Sequence, residues 1–485
     1  MDMFGASPTM RHSQGLPKKP LFHPSKTFNG GYNVIQHIGS IHRKKLSIAL
    51  GLLALSASQF ANAADDGSLT WNGITLYGTV DIGLAYQEHG APLSQDMYTG
   101  LAYMITKNSN RSITSVAPNG LSQSKLGLRG TESIGNGLNF VFNLESGFNP
   151  ESGKLSDALA SLVHNNGVPQ ANQTTGADGS RAGQLFNGPA YVGLSSSTLG
   201  TLTLGRHNTF LTDAVTKFDP LGASYAFSVL GASGTTAGGG DTQDVRLDDS
   251  VKYIYTWRNF HAGALYQFGH NDSSPGKALQ LDAGADLGNF SFDALYAYKN
   301  QAMLAASLTA AQLATPGVPH DSLAATVSDN RSYAFTAAYK LGDDWKFSGG
   351  YERITYADPS HPLTAGFSGL GGYFLSFINN NAYAHQKVLK VGWVGANVQL
   401  SNQLTLTGAW YHYDQNSYAG NGCSNRSSSA CSGTLNAYSA VLDYRFNKRF
   451  DVYGGVMYSK VTDGLSSGYL FTSTYNVMTG VRVQF

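Results

Sequence analysis

Charge is scarce in this chain. Asp, Glu, Lys and Arg make up 13% of its 485 residues, against roughly 25% in ordinary soluble domains. The formal net charge is only +1, so no basic footprint marks a nucleic-acid partner, and none is expected. Long apolar runs are missing as well. After Ala63 no stretch approaches 18 consecutive apolar residues, which excludes a membrane-spanning helix. Cysteine occurs only twice, as Cys423 and Cys431, inside one Ser/Gly/Asn-rich stretch. No CxxC spacing accompanies them. A loop disulfide suits an oxidising compartment, and closing so short a loop would contribute on the order of 2–3 kcal/mol in the chain-entropy model. Free thiols are the alternative. No HExxH, no GxSxG and no paired His/Cys metal spacing occurs, so neither a catalytic site nor a metal or cofactor is expected. His412, in Trp410-Tyr411-His412-Tyr413, is the one histidine worth inspecting.

What the chain does contain is glycine and aromatics: 57 Gly, 27 Tyr and 24 Phe. It also carries an export grammar. His42-Arg43-Lys44-Lys45 is a basic stretch, Leu46 to Leu55 an apolar one, and Ala61-Asn62-Ala63 an A-x-A cleavage site. Together these read as a secretory signal peptide. Residues 1–63 are therefore expected to form a removed leader, its first 40 residues reflecting a misassigned start or a long basic region. Residues 64–485 are expected to form the mature domain. A weakly charged, exported, Gly- and Tyr-rich chain suits a barrel whose strands alternate lipid-facing and water-facing side chains.

Period-two alternation along the sequence points the same way. Ile74, Leu76, Val80, Ile82 and Leu84 share one face of a first strand, and Thr75, Tyr77, Thr79 and Asp81 the other. Tight turns are expected at Gly135-Asn136-Gly137, Thr198-Leu199-Gly200, Arg258-Asn259, Gly288-Asn289, Asp343-Asp344, Asn402-Gln403 and Lys448-Arg449. Longer connections fall near 90–122, 149–189, 208–249, 270–276, 300–330, 357–386, 415–433 and 461–473. Seven turns and eight loops imply sixteen antiparallel strands, with fourteen or eighteen as alternatives. In lipid such strands must close on themselves, because unpaired backbone groups are too costly there. The chain ends on an alternating strand whose last residue is Phe485. An exposed aromatic edge strand is an aggregation hazard, whereas a strand that closes a barrel is not.

Several of these segments carry a resemblance. Ile74-Thr75-Leu76-Tyr77-Gly78-Thr79-Val80-Asp81, Ser124-Lys125-Leu126-Gly127-Leu128-Arg129-Gly130-Thr131-Glu132 and Phe142-Asn143-Leu144-Glu145-Ser146-Gly147-Phe148 come first. Ala190-Tyr191-Val192-Gly193-Leu194, Leu202-Thr203-Leu204-Gly205-Arg206 and Ser250-Val251-Lys252-Tyr253 follow in order. Over residues 64–485 the sequence resembles the general Gram-negative outer-membrane porins of the trimeric matrix type. The resemblance implies an all-β transmembrane barrel of sixteen strands, with a long third loop (about His207 to Asp249) folded into the lumen. It implies a water-filled channel for passive diffusion of small hydrophilic solutes and ions. A sugar- or organic-acid-selective channel is the alternative, and an outer-membrane enzyme or adhesin a more distant one. It also implies a homotrimer in the bacterial outer membrane, in contact with lipid and lipopolysaccharide and delivered by the outer-membrane assembly machinery, with Phe485 as the assembly signal.

Charges on inward positions would set selectivity. Lys125 and Arg246 match basic pore-wall positions of the family, Glu145 is inward by parity, and Asp219 matches the acidic residue of the inserted loop. Lys125 and Arg246 are expected to face Glu145 and Asp219 across the narrowest point. Arg206 matches a further basic position, but strict alternation places it outward with Leu202 and Leu204 unless a bulge intervenes. The arginine often found before the Ala-Tyr-Val-Gly-Leu strand is absent, since the stretch here is Asn187-Gly188-Pro189. A thinner basic wall and weak selectivity are the expectation. N-terminal sequencing of the exported protein should begin at Ala64 or a near neighbour, and retention of residues 1–40 would refute the leader assignment.

Overall fold

In the sequence, alternation of apolar and polar residues is broken by short turn-forming stretches, and the computed structural model turns at the seven tight ones. The structure describes residues 69–96, 111–176, 181–230, 245–269 and 276–485. The expected leader, residues 1–63, lies outside the described residues. Gly67–Phe485 forms one unit. Its wall begins with β1 (Ile74–Gly90) and β2, which comes in two pieces, Arg111–Pro118 and Lys125–Gly135. Then follow β3 (Leu138–Gly147), β4 (Ala190–Ser196), β5 (Gly200–Asn208), β6 (Arg246–Trp257) and β7 (Phe260–Gln267). Next come β8 (Ala278–Leu287), β9 (Phe290–Ala306), β10 (Leu323–Leu341), β11 (Trp345–Ala357) and β12 (Lys387–Gln399). The wall ends with β13 (Leu404–Gln415), β14 (Gly433–Arg445), β15 (Phe450–Val461) and β16 (Ser473–Gln484).

Consecutive wall strands pair antiparallel, and β16 pairs with β1 from Thr79↔Gln484 to Gln87↔Asn476. The sixteen-stranded barrel is closed, so no edge remains unpaired. Past the ladder, the Gly78 and Phe485 amides and carbonyls exchange hydrogen bonds of 2.9 and 3.1 Å. A Cβ at Gly78 would lie 2.5 Å from the Phe485 ring; the glycine leaves the place where that ring rests.

All seven expected turns lie between wall strands. At the first, Gly135, Asn136 and Gly137 all take positive φ (97°, 52° and 74°), which glycine and asparagine tolerate best. The loops are shorter than the sequence suggests in two places. The span near 90–122 contains the first piece of β2, and about half of the span near 300–330 is strand, since β9 runs to Ala306 and β10 starts at Leu323. At 17 and 19 residues these two strands outlast the roughly 9–11 needed to cross a bilayer. Their free ends are covered by the second loop, whose helix α1 (Ala158–His164) contributes Leu159 and Leu162 to an apolar cluster with Met303, Leu323, Val327 and Leu375.

The outer face carries two aromatic girdles. Trp410, Tyr438, Tyr458 and Tyr475 are register partners on β13 to β16, and all four are exposed. Nearer the short turns, Phe290, Tyr339 and Phe347 align across β9 to β11. Such belts sit at the two membrane interfaces of outer-membrane barrels. His412 belongs to the upper belt: its ring lies 5.8 Å from that of Trp410 and bonds to the Asn436 side chain at 2.9 Å. The histidine singled out for inspection therefore lies beside the belt aromatics, outside the barrel.

The break in β2 has a specific cause. Asp81 on β1 is fully buried. Its carboxylate accepts from three successive amides, Gly120 (3.1 Å), Leu121 (2.9 Å) and Ser122 (2.8 Å), and from the Tyr453 hydroxyl (2.6 Å). Asn119 takes φ +60° to start this turn, and its side chain accepts from the Ser124 amide at 2.6 Å. Replacing Asp81 with Ala should lower the denaturant midpoint of the folded barrel, since each buried donor left unsatisfied costs about 1–3 kcal/mol. An unchanged midpoint would show that the turn holds without the carboxylate.

Candidate functional site: the inner wall and the third loop

The third loop descends from β5 as a helix. Thr209 caps α2 (Phe210–Phe218), accepting from the Thr212 amide. The buried positions Phe210, Leu211, Ala214, Val215 and Phe218 form its apolar stripe. Phe210 meets Gly263 of β7, where a Cβ would come within 2.4 Å of its ring, and the Phe210 amide donates to Gln280 of β8 at 2.9 Å. Past the helix the chain crosses to the far strands. Trp393 donates to the Phe218 carbonyl at 3.4 Å, Asn397 to the Pro220 carbonyl at 2.8 Å and Ser439 to the Phe227 carbonyl at 2.6 Å. The Ala226 amide reaches the Gly120 carbonyl at 3.0 Å. These wall partners alternate with the exposed belt residues, so the loop lies on the inner side of the wall. Residues 231–244, part of the His207–Asp249 span, lie outside the described residues.

Lys125, Glu145 and Arg246 come together at a cleft of about 400 Å³ that α2 also lines. Lys125 pairs with Glu145 at 2.8 Å. They occupy adjacent strands, with Lys125 opposite Gly147 in register. Glu145 is thus a neighbour of the basic wall and does not face it from across the lumen. Arg246, 8% exposed, sits among the charges of Glu145, Arg181 and Arg206. Asp219 is elsewhere. It is buried against the far wall, where its carboxylate accepts from the Tyr411 hydroxyl (2.7 Å) and from the amides of Ala223 (2.7 Å) and Leu221 (3.3 Å). Burial pushes its pKa up, and these donors oppose the rise. Asp219 ties the loop down and adds no exposed charge to the cleft.

Arg206 keeps the parity of Leu202 and Leu204, because Thr203 and His207 share the other face of β5, their side chains 2.9 Å apart. The β5–β6 register does shift between Gly205 and His207, but the extra residue lies on β6, between Leu247 and Ser250, where Asp249 takes φ +49°. The Arg206 side chain is only 10% exposed, paired with Asp248 and donating to the Gly188 carbonyl at 3.0 Å and the Asn187 carbonyl at 3.1 Å. The arginine missing at 188 also has an explanation. A Cβ at Gly188 would lie 2.7–2.9 Å from Glu145 Oε1, Cβ and backbone oxygen, so no side chain fits there. Arg181 of the second loop fills the place instead. It is buried, 3.3 Å from Glu145 and 2.6 Å from the Asn187 side chain. The basic wall is therefore not thinner, contrary to the expectation from 187–189. Position 181 lies in a loop without period, so only the unpaired demand of buried Glu145 could have pointed to it.

The inward tyrosines act as fasteners. Tyr77 donates to Asn143 (2.7 Å) and Glu145 (3.3 Å), Tyr411 holds Asp219, and Tyr453 holds Asp81. A larger space of about 900 Å³ shares Lys125, Glu145, Asn208 and Asp213 with the cleft and adds Tyr77, Arg129, His207 and Lys252. In the seventh loop Cys423 and Cys431 are bridged, with Cα atoms 4.7 Å apart.

Known proteins match both the sequence and this architecture. The family model described as Gram-negative porin matches residues 49–464. An outer membrane porin protein of Bordetella pertussis is 30% identical over 47% of this chain and 49% of its own length. Outer membrane porin protein 32 of Delftia acidovorans is 28% identical over 46% and 50%. The chain thus spans about half the length of the curated relatives it matches. Among solved structures, an anion-selective porin from Comamonas acidovorans superposes with TM-score 0.55 at 18% identity, covering 85% of this chain and 99% of that one. The trimer form of OmpT from Vibrio cholerae gives 0.52 at 13%, covering 85% and 99%. With its closed sixteen-stranded barrel, girdled outer face and charged inner wall, and with the family model matching most of its length, the chain belongs to the Gram-negative porins.

Proposed function

We propose that the chain is a passive outer-membrane diffusion channel for small hydrophilic solutes and ions, assembled as a homotrimer, with Phe485 as its assembly signal. The observation that carries the reading is the polar inner space. The cleft, the larger space beside it and a third of about 610 Å³ near the turn Gly342–Asp344 adjoin one another through shared lining residues such as Lys125, Ser122 and Gly222. Charged and hydroxylated side chains line all three, as a water-filled path requires. The inserted loop supplies the narrowing, because it is tied to the wall at both sides of the barrel.

Among the described residues, the wall around the cleft carries more cations than anions. Lys125 and Arg181 share one carboxylate, Glu145. Arg206 has Asp248 and Lys252 has Asp213. Arg129 adds further positive charge, resting over the Tyr77 ring at 5.3 Å. A narrow wall of low dielectric focuses such a field, so the channel prefers anions. Small anionic solutes are the class it passes best.

Neutralising Lys125 or Arg246 to Gln should move the reversal potential in a salt gradient toward cations. Asp219→Asn should leave selectivity nearly unchanged and instead raise conductance or current noise, because it frees the loop. If the Lys125 and Arg246 variants both match the parent, these residues do not line the narrow point. Gly188→Arg should not strengthen anion preference but reduce folded yield, measured by heat-modifiable gel mobility; a well-folded, more anion-selective Gly188→Arg protein would contradict the packing at Glu145.

A further inference from the structure

On the inner face near the short turns, three strands place a histidine and two aspartates together. His261 of β7, Asp282 of β8 and Asp293 of β9 offer one donor atom each, all within 4.8 Å of one another. His261 Nε2 lies 3.3 Å from Asp282 Oδ2 and 3.2 Å from Asp293 Oδ1. We propose that this cluster is a binding site for a first-row divalent cation, with zinc as its best probe, set in the channel wall.

The spacing is the first argument. Zinc holds nitrogen and oxygen donors at about 2.0–2.2 Å in a tetrahedron, which places neighbouring donors roughly 3.3–3.5 Å apart. Both histidine–carboxylate separations are already close to that. The second argument is an unmet demand. The Asp282 side chain is only 10% exposed, and its Oδ1 has no hydrogen-bond partner among the described residues. A buried carboxylate oxygen without a donor is costly, and a cation held by both oxygens of this carboxylate would satisfy it. The third is space. Gly284 sits between His261 and Asp293 in register, and a Cβ there would come within 2.3 Å of Asp293 Oδ1 and 2.6 Å of the His261 ring. That glycine lets the donors converge. The donor set, one imidazole and two carboxylates, leaves a position for water facing the lumen, and imidazole suits zinc over magnesium or calcium.

Lys217 competes for the site. Its Nζ lies 3.5 Å from Asp293 Oδ1 and 3.6 Å from Asp286 Oδ1, on a side chain 39% exposed. It belongs to α2, so the same carboxylate serves the loop's tether and the cation. Binding would displace the ammonium from Asp293, loosen the helix from the wall and add positive charge to the lumen.

The proposal rests on these wall residues and not on the transport reading, so binding is measured apart from conductance. Zinc chloride is titrated calorimetrically into the folded parent protein in detergent, and into His261→Gln, Asp282→Asn and Lys217→Met. One site per chain is expected in the parent. His261→Gln and Asp282→Asn should each lose at least about tenfold in affinity, as for loss of a ligand or its support. Lys217→Met should bind about threefold tighter, as an exposed ion-pair partner is removed. Heat-modifiable mobility establishes that each variant is folded, and two independent ligand variants guard against failure of one. No zinc binding by the folded parent, or equal binding by both folded ligand variants, would overturn the site. In bilayers, zinc that binds without altering conductance would leave the site standing and refute only its effect on the path.

Discussion

The backbone's need for partners governs everything else in this molecule. Within lipid, each amide and carbonyl of sixteen strands must be paired by a neighbour, and the β16–β1 ladder supplies the last pairs. Once the sheet is a closed ring, side chains have only two destinations. One set faces lipid and must be apolar or belt-forming, and the other faces a lumen that water can enter. The low charge content, the abundance of tyrosine and the period-two pattern all follow from that single division. The glycines do too where ring and backbone approach closely, as at Gly78 under Phe485.

The lumen imposes a second problem, that of holding a long polypeptide segment against a polar wall. The solution is two buried carboxylates on opposite partners. Asp219 belongs to the loop and is gripped by a wall tyrosine, Tyr411. Asp81 belongs to the wall, grips the 120–122 turn and is itself met by Tyr453. The two are joined, because Gly120, whose amide binds Asp81, presents its carbonyl to Ser224 and Ala226 of the loop. Charge-assisted bonds of this kind are roughly twice as strong as neutral ones, and they add to the apolar anchors the loop buries past α2, Phe227, Val229 and Leu230.

Period and turn chemistry make the barrel legible in the sequence. Alternation identifies strands because lipid enforces it, and the tight turns announce themselves by residues that accept positive φ, such as Asn136 and Gly137. Loop boundaries are less legible, since β9 and β10 continue beyond the membrane into contacts with α1, where no lipid sets a limit. At the site, Lys125 and Glu145 can be read from parity and Arg246 from the resemblance of its segment. What Arg206 binds cannot, because its partners at 187, 188 and 248 lie outside the alternation of its own strand. Arg181 escapes for a different reason: it acts from a loop, where side-chain direction has no period. The role of Asp219 is misread because an inward acid can serve the pore or the loop, and only its burial against Tyr411 decides.

The relation between Gly188 and Arg181 shows how such a wall keeps its charge while changing its wiring. Glu145 is buried between β2 and β4, and a buried carboxylate demands cations close by. Lys125 meets part of that demand from the next strand. Backbone at 188 packs so tightly on Glu145 that a side chain there would collide with a carbonyl oxygen, which cannot rotate away as a side chain can. An arginine entering from above, on a loop, avoids that collision and still reaches the carboxylate. The same reasoning applies at Gly284, where close backbone approach lets His261 and Asp293 meet. In both places a glycine on one strand sets the chemistry by what it leaves out, and the charges that converge there come from three separate segments. Chemistry of this kind is written in the register between strands, so it becomes visible only when the barrel is closed.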